Sequence, residues 1–470
     1  MTHFNSISDG FGRTMAVAGS DPYTTSNIGV YPLVKFLREF NLLNLLKERV
    51  APSLPMLKCR GGLSQYQKFL QRLVAVMLGK EDLNDHEHIH KDIAFMKAFG
   101  FTTTAGTSTL CNFENSLQNE TIEALQAVLR ELFLCFCPKK PDLLTVDIDG
   151  TPIPVYGTQE AHDFNGHYRI NCLMALVVYV NGFPVWVALD GGNTDGRQML
   201  KPLYPKIVEF LKEQFPDTPI LFRADAGFSE TKFIDYLDDN GIYYLIGYGR
   251  NKVLEKYVYT KWEPDLIRSF FREEDKAFCL RATGDYDEYK AASWRGARRL
   301  IFRHQAAPRP QTYKQRLNGE TNVIDFDLRC IQTNIPKEDD RRGNHLWRIP
   351  STELYETLYC QRANACELKF HELKTESKGK RASANRLLTN FYRVLLSSIA
   401  FSIFVAIRKT VYHAFELRGR WWNVSVERLR KTLLNVPARL VFTGDGGKIL
   451  LPSYIPDSRA FKQFWNYRRR

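Results

Sequence analysis

The feature that most constrains this chain is a change of hydrophobic period near residue 142. Between residues 30 and 137 apolar residues recur at helical spacing, as in Tyr31–Leu46 (Leu33, Phe36, Leu37, Phe40) and Leu63–Met77, so each stretch can bury one face of a helix. From Asp142 the blocks become strand-like. Leu143–Asp149, Arg169–Val180 and Phe183–Asp190 read as consecutive strands, with Asn181-Gly182 as the hairpin turn between the last two. Gln198–Gln214 then reads as a helix and Pro219–Ala224 as a buried strand. Ser229 is placed to cap a helix that runs to Asn240 and stops at Gly241, before a further strand at Ile242–Tyr248. Three antiparallel strands followed by alternating helix and strand predict an α/β layout with a mixed sheet. Beyond Asn251 the pattern is strand-rich but irregular (Phe278–Thr283, Arg299–His304, Phe326–Thr333). It turns helical again from Ser351 to about His413.

The 470 residues suggest about two to four domains. Hydrophobic residues at 44% and charged residues at 25% exclude a disordered, collagenous or coiled-coil chain. The longest uncharged apolar run, Val394 to Ile407, has 14 residues and three serines, short of the ~18–20 that cross a bilayer. Met1-Thr-His-Phe-Asn-Ser lacks a basic stretch followed by an apolar one. Neither a membrane span nor secretion is expected, and the location implied is cytoplasmic, with the nucleoid if the host is bacterial. Nine scattered cysteines include no Cys-x-x-Cys pair. Even the closest, Cys135 and Cys137, reads as buried reduced thiols rather than zinc ligands.

The net charge of +13 is unevenly placed. Residues 369–470 carry 21 basic and 6 acidic side chains, so they hold more than the whole excess. Tyr392, Trp421, Trp422, Trp465 and Tyr467 are interleaved with them. Such a segment suits a polyanion, most plausibly nucleic acid; a solvated basic surface is the alternative. Upstream, Thr102–Thr109 is a polar breaker, and Ser108 would cap a short helix, Thr109–Asn115. That helix fits either the recognition element of a helix–turn–helix or one member of a plain bundle.

Three acidic positions stand out: Asp149 in Val146-Asp-Ile-Asp-Gly-Thr151, Asp225 after Ile220-Leu-Phe-Arg-Ala, and Glu367 on a helix expected over Glu353–Lys374. Carboxylates beyond the ends of neighbouring strands converge at one sheet edge. There they would make hard oxygen ligands for Mg²⁺ or Mn²⁺. Two ions ~3.5–4 Å apart would suit phosphodiester cleavage. Aspartates at strand ends also serve as turn residues or helix caps.

Several stretches together resemble the insertion-sequence DDE transposases, the cut-and-paste group. They are Gly79–His86 with Thr107–Asn115, Val146–Thr151, Gly157-Thr-Gln159, Phe164–Tyr168, Gly192-Asn193, Phe222–Phe228 and Gly249-Arg-Asn251. The signature Tyr-x2-Arg-x3-Glu-x6-Lys is matched by Tyr359, Arg362, Glu367 and Lys374, except that four residues separate Arg362 from Glu367. At about 100° per residue, Glu367 and Lys374 lie within about 20° of each other on a helix. Tyr359 and Arg362 join that face only if a local π-bulge absorbs the extra residue; Glu372 falls on the far side.

The resemblance implies a ribonuclease H-like catalytic core with a mixed sheet, interrupted by a β-rich insertion. It also implies a helical DNA-binding head, and the charge count adds a helical basic C-terminal region. Expected boundaries are 1–140 for the head, 141–251 and 349–410 for the two parts of the core, 252–348 for the insertion, and 411–470 for a C-terminal region that binds DNA and pairs protomers. The insertion accounts for the 142 residues between Asp225 and Glu367.

Asp149, Asp225 and Glu367 would be catalytic and hold two Mg²⁺ (or Mn²⁺) ions, with Asp147 as outer support. Asp149 is preferred because it precedes Gly150-Thr151. Tyr359, Arg362, Lys374, Arg298 and Arg299 would contact DNA, as would Arg341 and Arg342. One of Trp262, Trp294 and Trp347 would stack on a flipped base. The implied reaction frees a 3′-OH, passes through a hairpin and joins the element to target DNA. The implied partners are terminal inverted repeats, target DNA and a second copy of the chain, with no membrane. No Walker-type loop, and hence no nucleotide cofactor, is expected. Two other functions fit the same residues: a non-catalytic DNA-binding relic of a transposase, and a metal nuclease that cuts without joining.

Overall fold

In the computed structural model the described residues are 7–8, 14–15, 21–56, 62–261, 280–308, 324–337, 349–362, 371–377, 379, 381–412, 424–443, 446–455 and 457–469. They form two compact units. One comprises Met1–Val128, Glu376–Lys378 and Ile399–Arg470; the other comprises Leu129–Thr375 and Gly379–Ser398. Residues 1–128 and the basic C-terminal region thus lie in one unit, although the sequence reading separates them.

In that first unit the expected single helix over 31–46 is two, Val30–Glu39 and Leu42–Val50. Asn41 breaks it with a left-handed φ of 57°. Gln65–Met77 follows, with Ser64 and Gln67 forming a reciprocal capping box. Helix Thr107–Ser116 starts from Gly106, not from Ser108. Residues 100–106 separate it from helix Ile93–Phe99, longer than the 3–4-residue turn of a helix–turn–helix. Its inner face is held by charge: Arg72 Nε lies 2.6 Å from Glu114 Oε1, with both side chains 1% exposed. The C-terminal helix Ser458–Asn466 packs back on the first helix, with Phe36 against Phe464 at 6.4 Å and Phe40 stacked on Tyr467 at 6.2 Å. Thr24–Thr25 pairs with Ala438–Thr443, which pairs with Gly446–Leu450.

The second unit is built on one nine-stranded sheet. Its strands are β1 (Leu144–Pro154), β2 (Asp163–Asn165), β3 (Ile170–Val180), β4 (Phe183–Gly191), β5 (Ile220–Ala224), β6 (Tyr243–Tyr248), β7 (Leu280–Tyr289), β8 (Arg298–Pro308) and β9 (Ile324–Thr333). The order is β7-β8-β9-β6-β5-β1-β3, with β2 and β4 sharing the outer edge of β3. β1, β5 and β6 run parallel, and every other pairing is antiparallel. Asn181 (φ 48°) and Gly182 (φ 85°) make the β3–β4 hairpin, a turn that needs both residues left-handed.

Three local expectations change. The helix expected over 198–214 is split into Gly196–Leu200 and Tyr204–Gln214, with Pro202 between them. Ser229 does not cap the helix Thr231–Asp239, whose N-cap is Glu230; its hydroxyl accepts from Gln332 Nε2 at 2.6 Å. The inserted strands β7–β9 do not form a sheet of their own, because β9 pairs with β6 through Cys330–Thr333 against Tyr248–Leu245. One apolar cluster accordingly joins Leu221 and Leu245 of the central strands to Ile301 and Ile331 of the inserted ones.

One described helix, Leu387–Val411, is long and apolar enough to cross a membrane by length and composition, but 83% of its most apolar window is buried. Such burial is the pattern of a core helix. The thiols are not uniformly buried: Cys172 and Cys330 are, whereas Cys111 and Cys135 are exposed and Cys137 partly so.

Candidate active site

Parallel pairing of β1 with β5 sets Asp147 opposite Arg223. Continuing that register by two residues brings Asp149 and Asp225 to the same level. β5 ends at Ala224, whereas β1 continues to Pro154 against β3, with Asp149 opposite Val177. Asp149 is therefore within its strand, not at the end expected from the sequence. It sits where β1 loses its β5 neighbour, which leaves Asp149 and Asp225 half-buried.

Two residues earlier, Asp147 and Arg223 are 2% and 3% exposed. Arg223 donates from Nε and Nη2 to the two Asp147 oxygens at 2.7 and 2.8 Å, and from Nη1 to the Leu358 carbonyl at 2.6 Å. A bidentate pair of this kind fixes both planes. It ties the carboxylate-bearing strands to the segment that carries Tyr359. In the sequence Arg223 is one residue of the Phe222–Phe228 motif; an arginine in the middle of a short buried strand is itself the signal, since a buried charge demands a partner.

Asp225 also caps the short turn Ala226–Phe228, accepting from the Gly227 N–H at 2.8 Å. The cap uses one lone pair of a group with about four. Half-exposed Tyr168 reports on both aspartates: burial raises its phenol pKa, and the charges of Asp149 and Asp225 raise it further.

Tyr359 closes the site from the far segment. Leu354–Tyr359 is a π-helical turn, anchored by Leu354 and Tyr355 in the apolar cluster. A second π turn covers Glu372–Glu376; the interval between Arg362 and Glu367, where a π-bulge would absorb the extra signature residue, lies outside the described residues. A Cβ at Gly247 would lie 2.5 Å from Ala226 N and 3.0 Å from the Tyr359 hydroxyl, so the close approach of β6 to Asp225 and Tyr359 requires glycine. Burial raises the Tyr359 pKa, Arg362 lowers it, and Asp225 raises it. Arg362 is 8% exposed, with its guanidinium 5.9 Å from the Tyr359 ring. A cavity of about 410 Å³ opens at Ala226, the residue after Asp225, lined among others by Arg250, Arg303, Asp327, Arg329, Tyr359 and Arg362.

Other expected residues are placed differently. Glu367 lies outside the described residues, as do Trp262, Trp347, Arg341 and Arg342. Lys374 lies in the second π turn, and its side chain is outside the description. Arg298 and Arg299 are committed internally instead of facing a phosphate. Arg298 pairs with Asp235 at 2.5 Å and lies over Trp294, while Arg299 pairs with Asp285 at 2.8 Å and donates to the Ile335 carbonyl at 2.7 Å. Trp294 is 6% exposed and packs among Tyr248, Tyr289 and Leu300 as core.

Among the described residues no group of three His, Cys, Asp or Glu is placed to hold a metal ion. Asp149 and Asp225, half-buried and side by side, nonetheless suit a hard divalent cation in donor type.

The chain matches the model of the transposase DDE domain group 1 over residues 8–469. No curated protein matches it. Among solved structures it is similar to a piggyBac transposase synaptic complex with hairpin DNA. The identity is 10%, with 86% of this chain and 80% of that one covered, at a TM-score of 0.36. Because the family match runs almost from end to end, the chain belongs to the transposase DDE domain family, group 1.

Proposed function

We propose that this chain is a DNA transposase that cleaves the ends of its mobile element and joins them to target DNA. The observation that carries the proposal is that Asp149 and Asp225 each stand two residues beyond Asp147 and Arg223, the last paired positions of two adjacent parallel strands, in a chain of the DDE family. The strand order β4-β3-β1-β5-β6 supports reading the core as ribonuclease H-like, with β7–β9 as the insertion. Glu367 would supply the third carboxylate, since it follows the Tyr359 turn that already packs against Asp225.

Members of this family generally use divalent metals; bound here, two Mg²⁺ or Mn²⁺ ions would activate the attacking oxygen and stabilise the leaving one. Asp149, Asp225 and Glu367 would hold them, and Asp147 would support Asp149 through its clamp on Arg223. Arg362 and Lys374 would contact DNA phosphates, the arginine as a planar fork and the lysine as a point charge. Arg250 and Arg362 of the 410 Å³ cavity would meet the DNA backbone on that side of the site, whereas Arg329 is paired with Asp327 at 2.8 Å and Arg303 lies 3.6 Å from Glu356. Phosphodiester exchange conserves the number of ester bonds, so no nucleotide cofactor is needed. The reading includes terminal inverted repeats as substrate and a pair of protomers acting on the two ends.

The test is to incubate the full chain with the DNA that flanks its gene and with Mg²⁺ or Mn²⁺. New 3′-OH ends, hairpins and joined products are expected. Cleavage without joined products would reduce the reading to a nuclease, and binding without cleavage would reduce it to a relic.

A further inference from the structure

The unit made of the head and the C-terminal region contains a pocket of about 640 Å³ whose lining the reaction above does not use. Tyr31, Lys35 and Arg38 come from the first helix, Lys97 from Ile93–Phe99, and Trp465 and Arg468 from the last helix and the residues after it. Residues more than 360 positions apart in the chain therefore make one concave, cationic and aromatic surface.

Its internal polar contacts leave a definite excess of charge. Lys35 Nζ donates to the Trp465 carbonyl at 3.2 Å, which fixes the last helix beside the first. Lys35 also lies 3.9 Å from Glu39, and the Glu39 carboxylate accepts from the Arg469 N–H at 2.9 Å. The one acidic side chain of the lining is thus engaged, whereas Arg38, Lys97 and Arg468 are exposed. Trp465 is half-buried, held from below by Phe461 at 5.7 Å.

Exposed cations around a supported indole suit a polyanion that carries flat rings. A duplex offers phosphates but keeps its bases stacked inside, so it would leave Trp465 unused. A pocket within the ~300–1,000 Å³ range of ligand sites has room for a nucleotide unit.

We propose that this pocket binds an unpaired DNA strand, with phosphates at Arg38, Lys97 and Arg468 and a base stacked on Trp465. The inference rests on the transposase reading, because strand cleavage at element ends exposes unpaired nucleotides; the pocket can nonetheless be tested without cleavage.

The experiment titrates the full chain, with chelator present, into fluorescein-labelled oligothymidylate and into a blunt duplex of equal length, following anisotropy. Trp465→Ala should weaken oligothymidylate binding by about 5- to 150-fold, and Trp465→Phe should restore most of it. Arg38→Gln/Lys97→Gln/Arg468→Gln, all at exposed positions, should reduce the slope of log K against log salt by about 2. The Asp149→Asn/Asp225→Asn variant should bind like the parent. If the parent binds oligothymidylate and the Trp465→Ala and triple variants bind it equally well while melting normally, the pocket proposal fails and the transposase reading stands. If the parent binds only duplex, the pocket proposal fails in the same way. If it binds neither oligothymidylate nor element-end duplex, both fall.

Discussion

Strands β1 and β5 carry charged residues at two successive levels and use them in opposite ways. At the lower level Asp147 meets Arg223, opposite charges 2.7 Å apart and almost fully buried. Two residues further on each strand stand Asp149 and Asp225, like charges that stay half-buried where β5 has ended. A buried pair is tolerable only when its partners match; two adjacent carboxylates are costly unless a cation or proton is shared between them. One level therefore holds the sheet together, and the next is the one that the proposed function assigns to a cation. On this strand two residues separate the aspartate that is buried in an ion pair from the one proposed to act in catalysis.

The largest expected effect separates the levels by activity. Asp149→Asn or Asp225→Asn should each lower cleavage by about 10³-fold or more, with thermal stability and DNA affinity nearly unchanged. Full cleavage by either variant would remove that residue from the site.

Asp147→Asn should act on the other quantity. It leaves Arg223 buried without its counter-charge, and unfolding in urea should show a loss of about 3–5 kcal/mol. The double replacement Asp147→Leu/Arg223→Met should recover most of that, short of about 1 kcal/mol for the Leu358 carbonyl left without its donor. If Asp147→Asn is stable but inactive, and Asp149→Asn active, the two levels have been assigned the wrong way round.

The head offers a third arrangement for comparison. Beside the buried Arg72–Glu114 pair, His86 Nε2 lies 2.8 Å from Arg72 Nη1. Burial first, and then the Arg72 charge, push the His86 pKa down to about 2. The unfolded chain takes up this proton near pH 6.5 and the folded one refuses it. The associated stability is therefore complete above about pH 6.5 and is lost as pH falls towards 2, at about 1.4 kcal/mol per pH unit. Urea melts between pH 7 and pH 5 should show this slope, and His86→Gln should flatten it; an equal slope in both would place the titration elsewhere.

The smallest effect concerns the upper level without DNA. Mg²⁺ or Mn²⁺ at ten times its dissociation constant should stabilise the parent by about 1.4 kcal/mol. It should do nothing for Asp149→Asn/Asp225→Asn. Calorimetry with and without metal reads this directly, and an equal shift in the double variant would show that the cation binds elsewhere.

Much of the second unit was legible because its signals are local. Strands β1, β3, β4, β5 and β6 follow from blocks of apolar residues between turn residues, and Asn181-Gly182 can hardly be anything but a hairpin. Element ends were less legible. Ser108 and Ser229 look like helix caps, yet Gly106 and Glu230 hold those positions, because tertiary contacts compete for a serine hydroxyl, as Gln332 does for Ser229. Arg298 and Arg299 look like phosphate contacts for a related reason. A sequence shows a pair of arginines but not Asp235 and Asp285, which reach them only after β7 and β8 have joined the sheet.

By itself the sequence determined the order of most helices and strands and the family, both of which are read from short stretches. The tertiary structure alone decided which partner each charge meets. It set Asp147 against Arg223 through parallel register, extended the central sheet with the inserted strands, and brought Gly247 under the Tyr359 hydroxyl. It also folded the basic C-terminal segment against the first helix, so that Trp465 and Arg38 line one pocket. Periodicity is written within some ten residues, whereas pairing depends on contacts between residues 76 to more than 400 positions apart, and only the folded chain sets those.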